Sequence, residues 1–133
     1  MKLEFLSNHI AGVHYQQDVS EQLLLLFDFI PAEAGKFRDA LIRELLPAKA
    51  PLDLSCQYYI ELINCNLILR LCDEDIGIRT NNSQLFFCDL TIEKYREMIA
   101  LLQPFGEKEK RGYQFLNEEG DIDFLLSAGN AWG

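Results

Sequence analysis

Positive charge is scarce in this chain. Its 133 residues hold 12 lysines and arginines against 21 aspartates and glutamates, a formal net charge of -9 at pH 7. Residues 112 to 133 carry four acids and no base. Such a surface repels phosphate backbones and anionic lipid, so direct nucleic-acid and membrane-surface binding lose weight first, and a basic partner gains it. Long apolar runs are missing too. The longest, Leu23 to Phe27, is far short of the ~20 residues that span a bilayer. The opening MKLEFLSNHIAGVHY has one lysine, no extended apolar core and no small-residue cleavage pattern. It does not read as a secretory signal, and the cytoplasm is the expected location.

Chemistry-bearing patterns are equally thin. The four cysteines, Cys56, Cys65, Cys72 and Cys88, form no CxxC pair and fall in strand-like runs. Reduced thiols are expected there rather than a disulfide framework or a zinc site. His9 and His14 are the only histidines, and a spacing of five in a loop does not put them on one helix face as paired metal ligands. No G-x-S-x-G surrounds any serine, and no glycine cluster resembles a phosphate-cradling loop or a dinucleotide fingerprint. A Cys-His nucleophile pair is formally present, but thiols among apolar neighbours tend to be inert. Tyr58, Tyr59, Phe86 and Phe87 lack the bases that an RNA-stacking sheet needs, and core packing explains them more simply. No catalytic residue, metal or cofactor is expected.

What is present is a foldable chain. With 49% hydrophobic and 25% charged residues, it lies well away from disordered composition. A chain of this length buries about two-thirds of its unfolded surface without a staple. No internal repeat, linker or low-complexity tract is visible, so residues 1 to 133 read as one domain.

Hydrophobic periodicity outlines the elements. Lys2 to Leu6 reads as a short edge strand, followed by a loop. Residues 20 to 30 are ambiguous, because Ser20 offers a helix cap while Leu23, Leu25, Phe27 and Phe29 alternate; they are read as strand. Phe37, Leu41 and Leu45 make a helical stripe from Ala32 to Leu46, weakened by Gly35 and stopped by Pro47. Alternation then returns in Cys56 to Leu62, Leu67 to Leu71, Ile76 to Ile78 and Leu85 to Leu90, with short turns between, which predicts an antiparallel meander. Thr91 caps a second helix ending before Pro104. Glu107 to Arg111 reads as a charged loop, and Tyr113 to Leu116 with Asp121 to Leu126 as a last hairpin. Trp132 reads as a tail anchor or a free aromatic. The expected fold is α+β: a mainly antiparallel sheet of four to six strands with two amphipathic helices on one face.

Two acidic turns stand out: Asp73, Glu74 and Asp75, and the group Glu118, Glu119, Asp121 and Asp123. Strand parity places Asp121 and Asp123 opposite Ile122, Phe124 and Leu126, so both are expected at the surface. Neither NEEGDID nor DEDIG has the ligand order of a calcium loop. The turn and outward strand face that carry Glu118 to Asp123 offer no pocket that would split two carboxyl pKa values for acid-base work. The plain alternative is a solvated hairpin that blunts an edge strand. Read functionally, the seven carboxylates dock a basic protein such as a nuclease toxin, which makes the chain an inhibitor of the immunity-protein or antitoxin class. Two other classes stay open: an enzyme or small-ligand protein with a pocket between sheet and helices, and an adaptor subunit with an exposed apolar patch.

Overall fold

The leucine run that begins at Leu23 is a strand, and its place in the fold says why. In the computed structural model, which describes residues 1–7 and 22–128, β2 (Gln22–Phe27) lies inside a sheet, between β1 (Lys2–Ser7) and β9 (Asp123–Ala128). Leu23, Leu24, Leu25 and Leu26 are all buried. A helix buries one stripe, whereas an interior strand covered on both faces buries every residue. Each fully buried leucine is worth about 1.5–3 kcal/mol, which outweighs a cap worth about 1 kcal/mol. The expectations for His9, His14, the loop after Ser7, Ser20 and Trp132 lie outside the described residues.

Helix α1 (Pro31–Leu45) starts with proline in its first turn, where the missing N–H costs nothing. Glu33 reaches back to accept the Ile30 N–H at 3.1 Å. Helix α2 (Ile92–Glu107) is capped as expected, the Thr91 hydroxyl accepting the Lys94 N–H at 3.3 Å. It does not stop before Pro104, as the sequence suggested, but runs through it. The proline forfeits one helix hydrogen bond, and the added turn buries Phe105 to 4% exposure. That turn also brings Gly106 against α1, where an added Cβ would lie 3.1 Å from the Gly35 Cα. Gly35, the weak point of α1 in propensity, is thus where the second helix crosses closely.

The remaining strands are β3 (Leu52–Asp53), β4 (Glu61–Leu62), β5 (Asn66–Leu71), β6 (Gly77–Thr80), β7 (Leu85–Leu90) and β8 (Gly112–Asn117). A single 3-10 turn, Leu54–Cys56, follows β3. The chain is an α+β domain whose described residues hold two helices and nine strands in two mixed sheets, ordered β4-β1-β2-β9-β8 and β3-β5-β7-β6. The expected meander is replaced by a more interleaved order. β5 pairs in parallel with β7, and β6 lies outside β7 as its antiparallel neighbour. Of the stretch Cys56 to Leu62, only Glu61 and Leu62 form a strand, and they pair with β1 in the other sheet. Alternation fixes which face a residue buries; it does not fix which strand lies alongside.

A repeat absent from the sequence is visible in the topology. The chain runs strand, strand, helix, strand, strand twice, through β1, β2, α1, β3 and β5, then β6, β7, α2, β8 and β9, with β4 as an addition. The first pair of each half joins the second pair of the other through a parallel contact, β2 with β9 and β5 with β7. Both halves therefore share one core. It contains Leu24 and Phe124 from the first sheet, Leu67 and Phe86 from the second, Phe37 and Leu41 from α1, and Tyr95 and Leu102 from α2. The rings of Phe5 and Phe86 meet at 4.7 Å and join the sheets. The Tyr95 hydroxyl lies 2.8 and 2.7 Å from the Arg70 and Cys88 carbonyls, across the parallel pair. On the other face of the first sheet, Leu23, Leu25 and Leu125 form a second buried cluster.

Candidate functional site

The two acidic turns, distant in sequence, meet backbone to backbone. A Cβ added at Gly77 would fall 2.3 Å from the Glu119 carbonyl oxygen, and one at Gly120 would fall 3.1 Å from the Ile76 oxygen. Both glycines have positive φ, 100° and 81°, which other residues rarely adopt. Each turn is also held from within. The Asn117 side-chain amide donates to the Glu119 carbonyl at 3.2 Å and its oxygen accepts the Glu119 N–H at 3.2 Å. The Asp75 carboxylate accepts the Thr91 N–H at 2.8 Å, and Ile76 N–H donates to the Asp89 carbonyl at 3.0 Å. The first turn is thereby fixed to the start of α2.

The seven carboxylates singled out by sequence have different fates. Asp73, Glu74, Glu118 and Asp121 are exposed. Asp75 is half-buried and occupied with Thr91, so its role is structural. Glu119 is half-buried and lies 3.5 Å from Lys94 Nζ. Asp123 departs from expectation, since it is buried at 6% exposure. The parity argument placed it correctly opposite Phe124 but took that side to be solvent. β9 is an interior strand, and Asp123 pairs in register with Leu23 on the face that also buries Leu25 and Leu125. It is no part of an exposed edge.

Sequence reading missed the contribution of α2. Glu93 borders the depression that Asp73 lines, and Glu97 lines the groove beside Glu118 and Glu119. Lys94 Nζ stands 3.5 Å from Glu97 and 3.5 Å from Glu119. Glu97 first, and then Glu119, raise the Lys94 pKa above its ordinary value, with partial desolvation opposing them. The signal in the sequence was slight: an acidic stripe on α2, and a glycine at the exit of each acidic turn, where a close backbone approach needs one.

A second charged constellation has the opposite balance. Asp89, 5% exposed, accepts from Arg70 Nε and Nη2 at 2.8 Å each and from Arg79 Nη2 at 2.9 Å. Arg70 also stacks 4.1 Å from the Phe87 ring centre. Burial pushes the Asp89 carboxyl up, but the hydrogen bonds from Arg70 and Arg79 outweigh it and hold the group below the usual carboxylate value. Its two oxygens are fully engaged, so the triad acts as a clasp between β5, β6 and β7.

Among the described residues, the thiols and the remaining acids form no further centre. Burial pushes Cys65 and Cys88 up to about 12 each, away from nucleophilic thiolate. Among the described residues, no three His, Cys, Asp or Glu side chains converge to hold a metal ion. No helix among them is long and apolar enough to cross a membrane. Comparison with protein-family models, with curated proteins and with solved structures finds no match to this chain.

Proposed function

We propose that the chain is a protein-binding domain that docks a basic partner on the edge formed by its two acidic turns and the first half of α2. The class of function is an inhibitor of the immunity-protein or antitoxin kind, and the partner a protein with a positive surface, such as a nuclease toxin. The observation that carries this reading is the close approach of Gly77 to Glu119, which sets side by side the two turns that carry the exposed Asp73, Glu74, Glu118 and Asp121. Their supporting backbone is already fixed by Asp75, Asn117 and Thr91. A preorganised acidic edge loses little entropy on binding and steers a cationic partner during its approach. Nucleases present cationic surfaces to hold phosphates, and such surfaces are complementary to this one.

Affinity capture from the source-cell lysate at low and moderate salt, with mass spectrometry of what remains, tests the reading. The expected result is one stoichiometric basic protein that is lost as salt rises. A partner retained regardless of salt, or none at either salt, overturns it.

A further inference from the structure

Beside the acidic edge, a groove of about 240 Å³ runs between α2 and the end of β8. Leu90 and Leu116, both buried, and the half-buried Leu101 give it apolar walls. Glu97, Glu118 and Glu119 line it as well. Lys94, Glu97 and Leu101 recur at spacings of three and four, so α2 presents them as one stripe. Three carboxylates thus line the groove with one lysine, which pairs with Glu97 and Glu119 and is held loosely. Its two ion pairs are 3.5 Å long, against about 2.8 Å for a tight charge-assisted hydrogen bond.

We propose that this groove is a receptor for one arginine side chain of the basic partner, and that Lys94 is a resident cation that the arginine displaces. The proposal rests on the docking reading above and names its recognition element. An arginine stem carries enough methylenes to lie along the half-buried Leu101 while its head stays among carboxylates. Its planar fork can bond two carboxylates at once, which the ammonium of Lys94 does only at long range. Lys94 is 36% exposed on its side chain. It can swing into water at little cost, because solvent-exposed ion pairs are weak. The groove is too small for a folded element, and its negative excess fits a cation rather than an apolar side chain.

The test uses the pentapeptide acetyl-Gly-Leu-Arg-Leu-Gly-amide and its citrulline analogue, a neutral isostere, titrated against the intact protein while backbone amide shifts are recorded. The arginine peptide is expected to shift the amides of residues 94–101 and 115–119, and the citrulline peptide to bind at least tenfold more weakly. Lys94→Met removes the competitor and is expected to tighten the arginine peptide about two- to fivefold. Glu97→Gln is expected to weaken it by about the same factor. An unchanged or weakened affinity in Lys94→Met overturns the proposal, since a merely structural lysine gives that result. If Asp73→Asn weakens the peptide while Glu97→Gln and Lys94→Met leave its affinity unchanged, the groove is wrong and the acidic edge stands. If arginine and citrulline peptides bind alike, charge is not recognised and both fall. The amide spectrum of each variant shows directly whether it is folded.

Discussion

Two places in this molecule set charge against charge in opposite proportion. On the second sheet, two arginines share the single carboxylate of Asp89, which is buried and bonded on both oxygens. At the start of α2, the proportion is inverted: Glu97 and Glu119 share Lys94 with Glu118 in the same groove, and Asp73, Glu74 and Asp121 stand exposed on the two adjoining turns. The difference separates structural charge from charge left for a partner. A buried carboxylate must be fully paired or it costs several kcal/mol, so Asp89 belongs to the stability of β5, β6 and β7. Exposed carboxylates cost the fold little and contribute little to it. Their arrangement therefore has to be fixed by something else, and here the backbones of the two turns do it.

Gly77→Ala breaks the comparison most severely. The new Cβ meets a backbone oxygen at 2.3 Å and imposes a φ of 100° on an alanine. Strain and displacement together are expected to cost about 2–5 kcal/mol, read as a lowered urea midpoint. A near-neutral Gly77→Ala means that the turns are not in firm contact.

Asp89→Asn comes next, at about 1–3 kcal/mol, discounted because Arg70 and Arg79 keep partial access to water. The pH dependence carries its signature. The carboxyl of Asp89 is held below its unfolded value, so its contribution is complete above roughly pH 4 and fades as pH falls through the depressed folded value. The carboxyl of Asp53, opposed by burial but lowered by bonds from Ser55 and Asn66, acts in the same acid range. Melting curves of Asp89→Asn against wild type are expected to converge below pH 4; curves that stay parallel contradict the clasp.

Asp75→Ala sharpens the comparison within one turn. Losing the bond to Thr91 N–H is expected to cost about 1 kcal/mol, whereas Asp73→Ala, exposed and outside that bond, is expected to stay within about 0.5 kcal/mol. Equal losses at both positions would mean that exposure does not divide structural from free carboxylates here. The smallest stability effect belongs to the double reversal Asp73→Lys with Asp121→Lys, also within about 0.5 kcal/mol per site by thermal melting. Its consequence lies in association instead.

Much of the fold was legible in the residues. The ambiguous residues 20 to 30 read as strand from the alternation of Leu23, Leu25, Phe27 and Phe29, and the strand is Gln22–Phe27; Phe37, Leu41 and Leu45 read as one helix face and Thr91 as a cap, because each depends on periodicity or on a bond between neighbours in the chain. Pro104 misled, since the compensation for its lost hydrogen bond is the burial of Phe105 and the approach of Gly106 to Gly35, both tertiary events. Asp123 misled for a related reason. Parity gave its side correctly, but only the packing of the face that buries Leu23, Leu25 and Leu125 decides that this side is covered. The acidic turns were each visible as clusters. Their union was not, because it follows from pairing β5 with β7 and β2 with β9, and no local pattern encodes a parallel partner.

The central claim, that one converged edge recruits a basic protein, is tested most directly by association rates with the captured partner. Wild type, Asp73→Lys, Asp121→Lys and their double variant are compared at low salt, with Asp39→Lys on the exposed face of α1 as a control for net charge. Each edge reversal is expected to slow association several-fold, the double by at least about tenfold, and the control to leave it nearly unchanged. A control that slows association as much as the edge variants would contradict the claim, for then net charge, and not the meeting of the two turns, attracts the partner.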